Sequence, residues 1–238
     1  MILHTEITGN GEPMIILHTG LQTGQIDFED QREHFKQKYR VITPDLRGHG
    51  NSVATDFSNY LQDSVLDLKE TLDDLDVERA HIIGCSLGAL VGLIFAKRFP
   101  EMVHSLTISG IIPEKPANWN EINAEDVQQQ SQILKNEEAV AYFDSIHKSN
   151  WKELLNVTNN DDWYPFKETS NLSLLDMPVL FLVGEGSPLE TQGAILYPKE
   201  NKNIHVAIIP FAAHNVHLEQ PEIYIKVVEK FLSEIAGG

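Results

Sequence analysis

The segment Gly84-Cys85-Ser86-Leu87-Gly88 constrains this chain more than any other. Before it lies Ala80–Gly84 (AHIIG), a short apolar run of the kind that forms a strand buried on both faces. After it lies Leu87–Phe99 (LGALVGLIFAKRF), apolar almost all round and stopped by Pro100. A serine at that junction, with a glycine two residues to either side, fits a turn so sharp that its hydroxyl projects above the sheet. Side chains at 84 and 88 would clash across such a turn, so both are glycine. The Leu87 N–H, at a helix N-terminus, faces the same point and can stabilise a developing oxyanion. Cys85, the one cysteine of the chain, points away from the apex and reads as a small packing residue. With one cysteine, no intrachain disulfide and no cysteine-based zinc site can form.

The same alternation runs along most of the chain. Met14–His18, Tyr39–Thr43, Val103–Ser109, Val179–Val183 and Ile204–Ile209 are short Val- and Ile-rich runs with turn residues around them. Between them, helical period recurs. Leu61, Val65, Leu68, Leu72 and Leu75 are spaced by three and four, with Asp, Lys and Glu between them. Residues 222–232 give a final amphipathic helix before Gly237-Gly238. Strand–helix alternation predicts right-handed crossovers and an α/β, doubly wound, mostly parallel sheet. Gly9-Asn10-Gly11 predicts a hairpin turn between two N-terminal strands.

From about Pro113 to Met177 no strand run is found, while 124–135, 137–148 and 150–155 carry helical patterns. We therefore expect a core of residues 1–112 and 178–238 with a helical cap or lid inserted at 113–177. The cap aromatics Trp119, Tyr142, Phe143, Trp151, Trp163, Tyr164 and Phe166 either line an apolar pocket or hold the cap to the core.

These features resemble the α/β-hydrolase family over nearly the whole length. Residues 45–52 (DLRGHGNS) are similar to the family's D-x-R-G-x-G-x-S loop, whose Asp45 and Arg47 we expect to form a structural ion pair. His18-Thr19-Gly20 looks like the family's H-G loop, with Thr19 where glycine is usual. The resemblance implies the Gly20 N–H as second oxyanion donor beside Leu87. Residues 213–222 (AHNVHLEQPE) resemble the signature G-H-x-x-H-x-E-x-P-E, in which the first histidine, here His214, is the general base. His217 is then a supporting or surface residue.

The resemblance breaks at the third member. Where the family reads G-E-x-D-P, this chain reads Gly184-Glu185-Gly186-Ser187-Pro188. A hydroxyl at 187 orients an imidazole but does not offset its charge. Four readings stay open: Ser187 as neutral orienter, Glu185 turned inward, a carboxylate elsewhere such as Glu114 or Glu190, or no acid at all. The implied activity is hydrolysis of an ester, thioester or related acyl bond of a small molecule through an acyl-enzyme on Ser86. Carbon–carbon hydrolysis, lactone hydrolysis and perhydrolysis use the same residues. The rival is a degenerate hydrolase that binds a small ligand or a partner protein. No phosphate loop, dinucleotide fingerprint or metal-ligand spacing stands out, so neither cofactor nor metal is expected.

Charge narrows the partners. Against 18 Lys and Arg stand 35 Asp and Glu, a net charge of −17 with neutral histidine. Such a field repels nucleic-acid phosphates and anionic membrane surfaces. The N-terminus has no basic stretch leading into a long apolar one, and apolar runs fall short of the ~18 residues that span a bilayer. A cytoplasmic protein, monomeric or a homodimer, is the expectation.

Overall fold

The computed structural model describes residues 1–237; Gly238, the last residue of the expected core, lies outside them. In chain order the elements begin with β1 (Thr5–Thr8), β2 (Glu12–Leu17), α1 (Glu29–Phe35), β3 (Tyr39–Pro44) and α2 (Tyr60–Asp74). Then come β4 (Ala80–Cys85), α3 (Leu87–Arg98) and β5 (Val103–Ser109). Four helices follow with no strand between them: α4 (Trp119–Ile133), α5 (Glu137–Ile146), α6 (Trp151–Leu154) and α7 (Phe166–Thr169). The chain closes with β6 (Val179–Gly184), α8 (Pro188–Thr191), α9 (Gly193–Glu200), β7 (Ile204–Ile209), α10 (Val216–Glu219) and α11 (Pro221–Ala236).

All seven strands form one sheet in the order β1-β3-β2-β4-β5-β6-β7. Every pairing is parallel except β1 with β3. The Gly9-Asn10-Gly11 turn does reverse the chain, but the two strands that it joins are not partners. The edge of β3 lies between them, so the expected hairpin is corrected. Turn chemistry is local, whereas the insertion of a third strand is not.

After β3 the chain crosses back over β2 to build β4 on the other side. This reversal puts α1 and α2 on opposite faces. Phe28 and Phe35, at the start and end of α1, pack with Tyr224, Val228 and Phe231 of α11 under one face. Val65, Leu68 and Leu72 of α2 join α3 and Tyr197 of α9 on the other. The α3 helix is buried from Gly88 to Ala96, which explains its lack of a polar stripe. In open α/β sheets the crevice at such a reversal, beyond the carboxyl ends of the strands, is where ligands bind. Here those ends are Leu17 of β2 and Cys85 of β4.

Arg47 does not pair with Asp45. Its guanidinium reaches Asp67 of α2, at 2.8 and 3.0 Å. Asp45 instead accepts the N–H groups of Gly24 and Asn51, both at 2.9 Å, and faces His4 at 3.1 Å. Both side chains are structural, yet each is held by a partner distant in sequence. Among the described residues no helix is long and apolar enough to cross a membrane.

Close packing at the β4–α3 junction makes Gly88 intolerant of a side chain. A Cβ there would sit 2.2 Å from the Leu17 carbonyl oxygen, which is backbone and cannot swing away. A Cβ on Gly20 would meet nothing within 4 Å. G88A is therefore expected to lower Tm by about 2–12 °C, from about 1–3 kcal/mol of overpacking. G20A should leave Tm within about 1 °C. Differential scanning calorimetry of both variants checks this.

Candidate active site

Ser86 sits at φ 53°, ψ −118°, a left-handed backbone that a non-glycine residue adopts only when its surroundings force it. Three contacts supply the force. The Ser86 N–H donates to the Ser109 carbonyl of β5 at 2.9 Å, and its carbonyl accepts the Leu90 N–H at 3.0 Å. The β4 and α3 backbones approach so closely that a Cβ on Gly84 would lie 2.6 Å from the Gly88 carbonyl carbon. For Gly84 the expected reason is thus the observed one, whereas a Cβ on Gly88 would meet the Leu17 carbonyl of β2 and not the far side of the turn. Leu87 opens α3, so its N–H has no carbonyl one turn earlier to accept it.

Cys85 points to the opposite side of the sheet, into the α1–α11 layer. It is fully buried, and burial pushes its thiol pKa far up. It is a packing residue.

His214 stands in the loop between β7 and α10, with its side chain 46% exposed to the cleft. The loop is strapped by Glu219, whose carboxylate accepts the Ala213 N–H at 2.8 Å and the Asn215 N–H at 3.0 Å. These are the residues on either side of His214. His214 Nδ1–H donates to Glu190 Oε1 at 2.7 Å. Glu190 is only 7% exposed, and its Oε2 is buried with no hydrogen-bond partner. The imidazole is therefore the side-chain partner on which this buried carboxylate depends.

This geometry corrects the expectations at 187 and 185. Ser187 stands at the N-cap of α8 without a side-chain capping hydrogen bond, and among the described residues it makes no hydrogen bond to His214. Glu185 is exposed and turns away, accepting the Phe211 N–H at 2.9 Å. Glu114, too, is exposed, and the Nδ1 partner of the ring is Glu190. Glu190 is one of the carboxylates that the sequence leaves open, and the local spacing accounts for its reach. Pro188 starts a helical turn, so residues 187 and 190 share a face three positions apart. The extra methylene of glutamate then spans the remaining gap.

Burial acts to lower the His214 pKa, but the hydrogen bond and charge of Glu190, aided by Asp126 and Glu219, outweigh it. The net result is a pKa raised above the ordinary imidazole value. Among the described residues Ser86 Oγ and His214 Nε2 have no hydrogen-bond partner, and both line the same cavities.

The loop after β2 is fixed at nearly every polar atom. Asp27 Oδ2 accepts both the N–H and the hydroxyl of Thr19, at 2.8 and 3.0 Å. This explains threonine where glycine is usual: its hydroxyl is a second tether. Asp27 Oδ1 meets His217 Nε2 at 2.8 Å, and the His217 ring stacks on Phe28 at 3.7 Å. His217 is thus a buried strut between the Gly20 loop and the His214 loop, not a surface residue. His18 props the same loop, with Nδ1 on the Thr19 carbonyl at 2.7 Å and Nε2 accepting the Leu46 N–H at 2.8 Å. Gly20 is exposed in the cleft, and among the described residues its N–H meets no acceptor.

Two cavities meet at Ser86 and His214. One, of about 380 Å³, runs past Gly20 and Leu87 to Leu154, Leu155 and Val157 of the cap. The other, of about 590 Å³, runs past Trp119, Ile122 and Tyr164, with Asp126 and Glu190 on its wall. Trp163 lines both. The cap aromatics therefore divide their work. Trp163 faces the cavities, while Trp151 is buried between cap and core and donates to Asp144 at 2.7 Å. Among the described residues no group of three or more His, Cys, Asp or Glu is arranged to hold a metal ion.

Comparison with known proteins gives the same architecture. Over 97% of this chain and 82% of its own length, the human serine hydrolase BPHL is 25% identical. A 3-oxoadipate enol-lactonase of Acinetobacter baylyi is 24% identical over 98% of this chain and 94% of its own. The crystal structure of NosK from Streptomyces actuosus superposes with a TM-score of 0.83 at 23% identity, covering 95% of this chain and all of that one. The model of the alpha/beta hydrolase fold matches residues 12–147, more than half of the chain. With its parallel sheet, strained serine turn and inserted helices, the chain belongs to the α/β-hydrolase fold family.

Proposed function

We propose that the chain is a serine hydrolase that cleaves an ester or thioester of a small, uncharged acyl group through an acyl-enzyme on Ser86. The observation that carries this reading is the buried Glu190 carboxylate on Nδ1 of His214, 2.7 Å away. It leaves Nε2 as a bare acceptor in the cavity that holds the Ser86 hydroxyl. Ser86 Oγ attacks the acyl carbonyl, and its proton passes to His214 Nε2. Glu190 offsets the imidazolium charge, which a hydroxyl at 187 does not. The N–H groups of Gly20 and Leu87 hold the oxyanion. Nε2–H then protonates the departing alcohol or thiol. In the second half-reaction His214 takes a proton from water, the hydroxide adds to the acyl carbonyl, the bond to Ser86 Oγ breaks to release the acid, and His214 returns the proton to Ser86 Oγ. The rival, a degenerate hydrolase that only binds, rested on the missing carboxylate at 187; Glu190 supports the enzyme instead.

The charge of the acyl group follows from the lining. Among the described residues neither cavity presents a lysine or arginine, while Asp126 and Glu190 are both acidic. An anionic acyl group would be desolvated there with no counter-charge. We expect kcat/KM for p-nitrophenyl butyrate to exceed that for the p-nitrophenyl monoester of succinate by at least about tenfold. Equal values, or the reverse order, overturn the uncharged-substrate reading.

A fluorophosphonate should label the wild-type chain once, at Ser86, and S86A not at all; intact mass spectrometry reads both. An unlabelled, inactive wild type rejects the enzyme reading. Among the acid candidates, E190Q should lose about 10²- to 10⁴-fold in kcat, the range that loss of a triad acid allows. S187A and E185Q should stay within about threefold of wild type. The base works only when neutral, and its pKa is raised. Activity should therefore rise with pH through a midpoint above 6.5, the ordinary histidine value. In E190Q the largest raising influence is gone while burial remains, so the midpoint of its residual activity should move down, with Asp126 and Glu219 still opposing burial. A pH profile of kcat/KM on both proteins measures the two midpoints.

A further inference from the structure

His147 is the first residue beyond α5 and reaches out of the cap into the loops beside the cleft. Its Nδ1 accepts the Gly50 N–H at 2.9 Å, and its Nε2–H donates to the Leu21 carbonyl at 3.1 Å. The partners fix the tautomer, since an N–H only donates and a carbonyl only accepts. The next residue strengthens the link: the Lys148 N–H donates to the Gly50 carbonyl at 2.9 Å. His49 meets Leu21 from the other side. Its Nε2 accepts the Leu21 N–H at 3.1 Å, and its Nδ1 faces the Arg47 carbonyl at 3.1 Å. Leu21 thus has both peptide groups gripped by imidazoles.

That grip has something to hold. Leu21 lies at φ 59°, a left-handed backbone foreign to a leucine. Released, it would relax toward negative φ and rotate the peptides next to it. The residue before it is Gly20, whose N–H is the donor proposed for the oxyanion. Thr19, earlier still, is pinned by Asp27 and His18. Gly20 is therefore aimed from two directions, by the core at Thr19 and by the cap at Leu21. His49 and His147 are both buried, and burial lowers the pKa of each, which keeps the acceptor nitrogens bare.

We propose that His147 is a positioning residue of the oxyanion loop, through which the cap sets the direction of the Gly20 N–H. The proposal rests on the hydrolase reading above. It assigns the cap a part in the chemical step, beyond covering the substrate. A misaimed donor weakens the transition state while leaving ground-state binding nearly intact, so the effect belongs in kcat and not in KM.

Two variants separate the two hydrogen bonds. H147N retains an amide near the Nδ1 position, which can accept from Gly50, but is too short for Leu21. H147Q places an amide N–H at the Nε2 position, facing the Leu21 carbonyl. H147N is expected to lose about 10- to 100-fold in kcat with KM within about threefold, and H147Q to stay within about threefold in both. Affinity for an alkyl trifluoromethyl ketone, whose adduct with Ser86 carries the oxyanion, should fall in H147N by the same factor as kcat/KM. Melting temperatures confirm that both variants are folded. The proposal is overturned if the two folded variants are equally active or equally impaired, or if the loss falls on KM while ketone affinity is unchanged. A wild-type chain that escapes fluorophosphonate labelling and turns over no ester defeats the hydrolase reading itself, and does so before any variant is made.

Discussion

The left-handed backbone of Ser86 is the constraint on which the rest of the structure depends. A serine does not adopt φ 53° unaided. It is held there because β4 feeds directly into α3, and because the backbones around the turn are packed at distances that exclude a Cβ at 84 or 88. The same packing places Leu87 at the first position of α3 and brings the helix against β2. The buried apolar sequence of α3 is the other half of the arrangement. A helix with a polar stripe would not lie so deep against the sheet.

The site is then completed by loops that carry carboxylates in supporting roles. Glu219 straps the residues flanking His214, Asp27 tethers Thr19 and His217, and Glu190 holds the imidazole. Three acidic side chains thus do most of the positioning around one serine and one histidine. A strongly acidic chain has put part of its charge to structural use. The cleft has no cation among its described lining residues, which directs the substrate reading toward uncharged acyl groups.

Much of this was legible in the sequence, for physical reasons that can be named. The six parallel strands announced themselves as short Val- and Ile-rich runs, and α2 as leucines spaced by three and four. The serine turn was legible because its glycines answer a steric demand that no other residue meets. Features depending on distant partners were not legible. Arg47 reaches Asp67, not the nearby Asp45, and β3 inserts between the strands of an apparent hairpin. The departure at Thr19 depends on Asp27, eight residues away, which accepts its hydroxyl. At the acid position, the sequence motif pointed to residue 187, whereas a proline-initiated turn moved the carboxylate to 190.

The central claim is that Glu190 holds His214 in the tautomer that leaves Nε2 free. Nitrogen-15 NMR of side-chain-labelled histidines in the resting protein tests it most directly. The expected result is one imidazole with a protonated Nδ1 and a bare Nε2 that titrates above the ordinary histidine range, its Nδ1 proton shifted far downfield by the short hydrogen bond. That resonance should vanish in E190Q and persist in S187A. A His214 Nδ1 proton that stays downfield in E190Q, or is lost in S187A, would contradict the assignment.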